Sequence, residues 1–576
     1  MSKIHRLSSS VIDRIAAGEV VERPASVVKE LIENALDAGA HRVEIEIEGG
    51  GVARILVRDD GAGMSGEDAR LSLERHATSK ISSDADLASV VSYGFRGEAL
   101  PSIASVSKLT LTTSDGSTPE AIRLISEYGG PISAQPAARP RGTDLLVEGL
   151  FARTPARRKF LSTPESEGRA CAAAVTRAAL AHPSVAFAFR SNDREVLDAP
   201  AAANRAARIL QLFGRETLGD LEEFEARSGL LKLSGFATRG SVTFPTRRFQ
   251  YLFINGRPVE DRALSRAIGQ ASRDAIRTDR HPGLFLFVTA DAGAVDVNVS
   301  PAKTQVGFAD AGTAFRLVYH AVHSALLSGK EARRLRSVPD EPSEDSLSEA
   351  GETYGEAPAA ATGGRLTPAG GREPTRVSAP PLEKKPPEIV PIGQYRESYI
   401  VASGAEGLLV IDQHAAHERI LYERLRDRIA SGRVLSQKLL MRALFEATPE
   451  EVETLSARWE ELAAAGFEIE PMSGKSYAIA ALPAEATDRA PGETLRAVLT
   501  ELADSGSAEL PDRRDRLCAS VACRSAVTIR YHLAAEEIRR LLQDWVKAAD
   551  RFTCPHGRPV VLSMSEEDLE KFFKRK

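Results

Sequence analysis

Hydrophobic and polar positions alternate with a helical period over residues 27–37, near the start of the chain. The apolar residues there keep the spacing of one helical face, which predicts an amphipathic helix packed on a core. The other side carries four polar residues at i, i+3, i+4 and i+7, namely Glu30, Glu33, Asn34 and Asp37. This spacing places them on one stripe. Three acids beside an amide suit a metal-bound phosphate, but an ordinary solvated acidic face has the same pattern.

The period then changes from helical to alternating. Gly39 is expected to end the helix in a left-handed cap, and residues 42–48 alternate charged and apolar positions, which predicts a strand with one solvated side. A second predicted strand ends in Asp59, which is followed by Gly61 and Gly63. A carboxylate there can accept a hydrogen bond from the exocyclic amine of a flat ligand. The string alone is more often a turn than a site.

Further residues suited to phosphate occur downstream. Gly94, Phe95, Arg96 and Gly97 place two glycines three residues apart at the start of a predicted helix, where backbone amides can form a nest for phosphate oxygens. Hydroxyl groups and a cation that could line the same pocket come from Thr78, Ser79, Lys80 and Thr143. Each string is modest alone, but their order along the chain is highly specific.

The middle of the chain changes in composition. A basic run, Arg153 to Lys159, is bounded by aromatic residues and is either a solvated positive face or a contact for the DNA backbone. Residues 295–299 predict a strand, followed by Lys303 in a loop.

From about residue 338 to 388 large apolar residues almost disappear, so this stretch cannot bury enough surface to offset its ordering entropy.

The C-terminal part contains a group of metal donors. Two predicted strands lead into residues 412–423, where a helix would make His414 and Glu418 i, i+4 neighbours. Cys523, Cys554 and His556 follow in separate segments. Thiolate, imidazole and carboxylate are the usual zinc ligands, although here they are scattered rather than paired as in a zinc finger.

Taken together, these strings resemble the MutL family of DNA mismatch-repair proteins, in the superfamily that also includes DNA gyrase, heat-shock chaperones and histidine kinases. The resemblance is dense over residues 15–24, 27–37, 75–80 and 94–100, and it recurs in patches to the C-terminus. It implies an α/β (α+β) fold in four parts. These are a GHKL-type α/β sandwich ATPase domain (1–210), a ribosomal-S5-like α/β transducer domain (211–335), a disordered linker (336–388) and a C-terminal α/β dimerisation and endonuclease domain (389–576).

The resemblance also implies roles for individual residues. Glu30 resembles the general base for the water that attacks the γ-phosphate, Asn34 resembles the Mg²⁺ ligand, and Asp59 resembles the acceptor for adenine. Lys303 resembles a lysine that reaches the γ-phosphate from the second domain. The full set of expected ATP-binding residues is Asn34, Asp37, Asp59, Gly61, Gly63, Thr78, Ser79, Lys80, Gly94, Phe95, Arg96, Gly97, Thr143 and Lys303. The alternative is a protein of the same fold that no longer binds ATP.

For the C-terminal part the resemblance implies a metal-dependent endonuclease. The string from 412 to 423 matches the family's nuclease pattern, with Asp412, His414, Glu418 and Glu423 as expected catalytic residues. The expected Zn²⁺ or Mn²⁺ ligands are His414, Glu418, Cys523, Cys554 and His556. The alternative is a non-catalytic, ATP-dependent matchmaker whose zinc site is structural. A type II topoisomerase subunit fits poorly, because nothing resembles a strand-passage tyrosine.

Bulk properties narrow the class of protein. The net charge is −5, so DNA binding would depend on local basic patches. Four cysteines among 576 residues are too few for a disulfide scaffold and indicate a reducing compartment. No signal peptide or membrane-spanning run is apparent, and we expect a cytoplasmic, nucleoid-associated protein.

The expected partners are DNA, a second copy of the chain, a MutS-type mismatch sensor and the replication sliding clamp. The clamp assignment depends on Gln437 to Arg442, where Arg442 replaces the proline that usually ends the motif.

Overall fold

The computed structural model describes a set of segments that together include most of the chain outside 328–388. They are residues 21–80, 97–239, 242–276, 280–291, 295–296, 307–308, 310–327, 389–405, 407–432, 434–486, 490–504, 510–526 and 531–575. Gly94, Phe95, Arg96, Lys303 and the predicted linker lie outside the described residues.

The first part of the chain is built on a large, mostly antiparallel sheet of eight strands. Its strands are β1 (Arg42–Glu48), β2 (Arg54–Asp59), β3 (Lys108–Ser114), β4 (Ala121–Glu127), β5 (Ser133–Ala137), β6 (Gly142–Glu148), β7 (Ala186–Ser191) and β8 (Arg194–Ala199). Their order is β5-β4-β3-β6-β2-β1-β7-β8, and β1 and β7 run parallel. The alternation predicted for residues 42–48 is confirmed, since Val43, Ile45 and Ile47 are buried between more exposed neighbours.

This part of the chain also contains helices. They are α1 (Pro24–Asp37), α2 (Gly66–Leu71), α3 (Ala99–Val106), α4 (Pro155–Lys159), α5 (Pro164–Ala181), α6 (Arg205–Phe213) and α7 (Arg215–Leu218). The predicted helix is α1, and it begins three residues earlier than the periodicity indicated because Pro24 is tolerated in the first turn. It buries Val27, Val28, Leu31 and Ile32. It ends at Asp37, and Gly39, two residues further on, has a left-handed φ of 72°.

A second sheet follows, in the order β13-β12-β15-β10-β9. Strands in this region are β9 (Leu221–Ser228), β10 (Leu231–Thr238), β11 (Thr243–Phe244), β12 (Gln250–Ile254), β13 (Arg257–Pro258), β14 (His281–Pro282), β15 (Leu284–Ala290), β16 (Val295–Asp296) and β17 (Gly307–Phe308). Helices α8 (Arg262–Ile276) and α9 (Ala311–Leu327) complete it and share a hydrophobic core with the sheet.

The C-terminal part has two sheets. The first is β18-β19-β20-β24, made from β18 (Val390–Tyr395), β19 (Tyr399–Gly404), β20 (Gly407–Asp412) and β24 (Val561–Met564). The second is β21-β23-β22, made from β21 (Ser436–Glu446), β22 (Glu468–Pro471) and β23 (Ser476–Pro483). The helices are α10 (Gln413–Ala430), α11 (Pro449–Ala457), α12 (Trp459–Ala464), α13 (Pro491–Asp504), α14 (Leu510–Ser525), α15 (Ala535–Lys547) and α16 (Glu566–Phe572).

The predicted mixed α/β fold class is confirmed by this architecture. The buried hydrophobic cluster of the first part is continuous with that of β21, β23, α11 and α13. The precise domain boundaries stay predictions.

Candidate functional sites

The polar stripe of α1 lies beside Lys80, 43 residues further along the chain than its partner Asp37. The Lys80 Nζ atom lies 3.0 Å from Asn34 Oδ1 and 2.5 Å from Asp37 Oδ2. Glu30 lies one turn earlier on the same helix and is partly buried. The structure therefore brings an ammonium group against the amide and the acid that the sequence predicted for ion and nucleotide binding.

Asp59 lies at the end of β2, directly opposite Thr143 of β6 in the strand register. Its Oδ1 atom accepts a hydrogen bond from the Gly61 amide at 2.9 Å. Burial raises the pKa of Asp59, and the Gly61 amide and Arg139 only partly oppose that effect. The following turn packs on the end of α1, since the Ala62 amide donates to the Ala38 carbonyl at 2.9 Å. The end of β2, with Asp59, and the start of β6, with Thr143, therefore lie side by side near the C-terminal end of α1.

Two glycines of these strings are required by the chain's own backbone. Gly63 has a φ of 66°, and a Cβ atom there would lie 1.9 Å from the Ser114 carbonyl oxygen. Gly97 has a φ of 63°, and its Cβ would lie 2.5 Å from the Ala77 carbonyl oxygen. A side chain fits neither the angle nor the space. Gly97 therefore lets the start of α3 approach the segment that contains Thr78 and Ser79.

The C-terminal donors gather at the start of α10. His414, Glu418 and Cys523 each offer a ligand atom, and these atoms lie within 4.8 Å of one another. The predicted helical i, i+4 pair is present, with His414 Nε2 3.3 Å from Glu418 Oε1. Cys523 comes from α14, which packs along α10. The fold therefore joins residues separated by more than a hundred positions.

The electrostatics of this cluster favour a cation. Burial alone would raise the pKa of Glu418, but hydrogen bonds with His414 and Cys523 and the charges of His414 and His556 lower it to about 2. Hydrogen bonds with His414 and His556 lower the pKa of the Cys523 thiol, and the same bond to Cys523 raises the pKa of His556. The imidazoles of His414 and His556 thus favour negative charge on Glu418 and Cys523, and a metal ion bound here would do the same.

An unsatisfied atom supports the same interpretation. Glu418 Oε2 is buried and has no hydrogen-bond partner among the described residues. A buried carboxylate oxygen without a partner is costly. Sulfur, imidazole nitrogen and carboxylate oxygen form a donor set that fits Zn²⁺ well.

Two further residues that the sequence predicted as catalytic, Asp412 and Glu423, accept hydrogen bonds from backbone amides. Asp412 caps α10, because its Oδ1 accepts from the amides of His414 at 2.9 Å and Ala415 at 3.0 Å. Glu423 accepts from the amides of Ala549 at 2.8 Å and Asp550 at 3.2 Å, so it fixes the segment that leads to Cys554.

Cys554 itself is buried in the core around α10 and α15. Among the described residues it is not part of the three-residue donor group. Its role as a ligand stays a prediction, as do the roles of the other site residues.

Sequence reasoning missed two residues that support this site. Gln413 is fully buried, and its Nε2 donates to the Glu397 carbonyl at 2.8 Å and the Tyr531 carbonyl at 3.1 Å. Arg419 Nε donates to the Thr553 carbonyl at 2.7 Å. Both lie inside the string from 412 to 423, which was the available signal.

Comparison with known proteins gives three family-model matches along the chain. Residues 22–129 match "Histidine kinase-, DNA gyrase B-, and HSP90-like ATPase". Residues 209–327 match "DNA mismatch repair protein, C-terminal domain", and residues 392–533 match "MutL C terminal dimerisation domain". The N-terminal part is therefore an ATPase domain of the GHKL type. None of the helices in the described part of the chain combines the length and apolarity that a membrane span requires.

Solved structures also match this chain. The Aquifex aeolicus MutL ATPase domain complexed with ADP is 29% identical, with a TM-score of 0.37, over 47% of this chain and 93% of that one. At that TM-score the structural match adds nothing to the assignment.

Full-length sequence relatives are similar over almost their entire length. The DNA mismatch repair protein MutL of Thiobacillus denitrificans is 38% identical over 596 residues, covering 99% of both chains. That of Anaeromyxobacter sp. is 40% identical over 611 residues, again covering 99% of each. On this similarity, the chain belongs to the MutL family of DNA mismatch-repair proteins.

Proposed function

We propose that this chain is an ATP-gated homodimer that couples mismatch recognition to repair and nicks DNA at a metal-dependent C-terminal site. The observation that carries the nuclease part is the cluster of His414, Glu418 and Cys523, with one buried Glu418 oxygen that has no partner among the described residues. Metal ions in such a site activate water and stabilise the leaving oxygen of a phosphodiester. His414, Glu418 and Cys523 would hold the ion, and His556 would complete the set.

In the N-terminal site, we assign each residue a separate task. Glu30 orients and deprotonates the attacking water, because phosphoryl transfer needs a positioned nucleophile and little covalent chemistry from the protein. Asn34 holds Mg²⁺, which takes few protein oxygens beside the phosphates and neutralises their charge. Asp59 accepts from the adenine amino group. Lys80 already contacts Asn34 and Asp37, and it would turn to the phosphates when nucleotide is bound.

Two single substitutions test these sites independently. Glu30→Ala should bind ATP but fail to hydrolyse it, and loss of binding would contradict its role as a base. Glu418→Lys should abolish Mn²⁺-dependent conversion of supercoiled plasmid to open circle while ATP hydrolysis persists. Unchanged nicking by Glu418→Lys would defeat the nuclease proposal. Wild-type protein that contains zinc but never nicks would favour the alternative, a matchmaker with a structural zinc site.

The sliding clamp is proposed to bind the segment from Gln437 to Arg442. The pairing of β21 with β23 is interrupted between Lys438 and Ala443, and Leu440 and Met441 in the interruption are 101% and 81% exposed. Exposed apolar side chains at a break in strand pairing suit a binding anchor. Clamp-stimulated nicking should fall in Gln437→Ala and in Leu440→Ser. Stimulation that survives both would count against this surface.

The remaining partners and the location are proposed on the family's function. DNA and a MutS-type sensor are the partners that mismatch repair requires, and work on chromosomal DNA places the protein in the cytoplasm at the nucleoid. The run from Arg153 to Lys159 includes α4, whose side chains are partly or fully exposed. It stays a candidate DNA contact, which a salt-dependent loss of DNA affinity in Arg158→Glu would support.

A further inference from the structure

The part of the chain between α10 and α15 packs against the ATPase part. We call residues 434–526 the insert; it contains β21 to β23 and α11 to α14. Helix α11 lies along α5 of the ATPase part, and it also contacts β8. Val452 and Leu455 of α11 belong to the same buried cluster as Cys171 and Val175 of α5. The contact is therefore a packed interface with an apolar centre.

Ion pairs cross this interface where water is largely excluded. Arg458 at the end of α11 is only 2% exposed, and its Nη2 atom lies 2.9 Å from Glu165 Oε2 of α5. Arg248, from the second region, pairs with Glu451 of α11, which is also bound by Arg496 of the insert. Buried charges destabilise a structure unless they are paired with good geometry. The pairs therefore select one arrangement of the two surfaces.

A lysine of the insert binds the end of a helix in the ATPase part. Lys475 Nζ donates to the carbonyl oxygens of Gln211 at 2.5 Å and Leu212 at 2.8 Å. These residues form the last turn of α6, where carbonyl groups lack helical partners. A positive charge is favoured there by the helix dipole. Lys475 therefore joins the insert to the ATPase part at a third place, in addition to the two ion pairs.

We propose that α11 and Lys475 form a docking surface that holds the insert on the ATPase part of the same chain, so that the protein has a closed arrangement maintained by complementary charge. The partner of this surface is the face made by α5, the end of α6 and Arg248. The proposal concerns how the two halves associate. It does not depend on either catalytic site.

The test uses the full-length chain. Lys475→Glu and Arg458→Glu should each increase the radius of gyration and the maximum dimension in small-angle X-ray scattering. They should also speed amide exchange in α5 and α6, measured by hydrogen exchange and mass spectrometry. Adding Glu165→Arg to Arg458→Glu should restore part of the wild-type profile, because the pair with residue 165 is re-formed with its charges reversed. Glu461, which lies 3.0 Å from Arg458 Nη1, still repels the new acid.

Arg514→Glu is the matched control, since it makes the same charge change at an exposed position of the insert. Circular dichroism verifies that every variant is folded, and light scattering verifies an unchanged molar mass. Folded variants with wild-type scattering and exchange would overturn the proposal. So would an equal expansion in Arg514→Glu, and so would a lowered molar mass, which would place the contact between two copies.

Discussion

Replacing Gly63 by alanine tests quantitatively how the backbone packs near Asp59, the candidate acceptor for adenine. The left-handed angle alone costs about 1–2 kcal/mol for a residue with a Cβ atom. The new Cβ would also lie 1.9 Å from the Ser114 oxygen, well inside the 3.4 Å at which ordinary contact begins. If the backbone at Gly63 moved away from Ser114, two hydrogen bonds would be disturbed. They run from Met64 N to Thr113 Oγ1 and from Thr113 Oγ1 to the Gly142 carbonyl, both at 3.0 Å. Each such bond is worth about 0.5–1.5 kcal/mol.

Gly39→Ala separates the two contributions. Gly39 has a similar φ of 72°, but nothing lies within 4 Å of its added Cβ. The control should therefore lose only the angular cost of about 1–2 kcal/mol, and Gly63→Ala should lose about 1–3 kcal/mol more. Since 1 kcal/mol lowers the melting temperature of a domain of this size by about 2–4 °C, the difference is measurable by circular dichroism. Equal melting temperatures for the two variants would refute the steric argument.

Three further outcomes are expected. Burial raises the pKa of Asp59, so its ionised form destabilises the fold as pH rises above the ordinary Asp value of about 4. Asp59→Asn should therefore have a higher melting temperature than wild type near neutral pH, and this difference should vanish in acid. A difference that persists in acid would be inconsistent with this cause. Lys80→Met should weaken ATP binding in calorimetry by about ten- to a hundredfold, the value of one charge-assisted hydrogen bond, whereas Lys29→Met on α1 should not. Cys523→Ser should lower the bound zinc measured by elemental analysis, Cys171→Ser should leave it unchanged, and equal zinc in both variants would remove Cys523 from the site.

Local patterns in the sequence determined much of this protein. The helical stripe of α1, the alternation in β1 and the i, i+4 pair of His414 and Glu418 depend on neighbours within a few residues, so periodicity alone predicts them. The order of the strings then indicated the family, and the full-length relatives confirm it.

Only the tertiary structure decided which distant residues meet. Strand register places Asp59 opposite Thr143, and the packing of α14 on α10 brings Cys523 to Glu418. It also gives Asp412 the role of a helix cap, which its spacing did not distinguish from that of a catalytic residue. The docking of α11 on α5 had no signal in the sequence. A contact between surfaces depends on complementary shape and charge across hundreds of residues, and no local period records such complementarity.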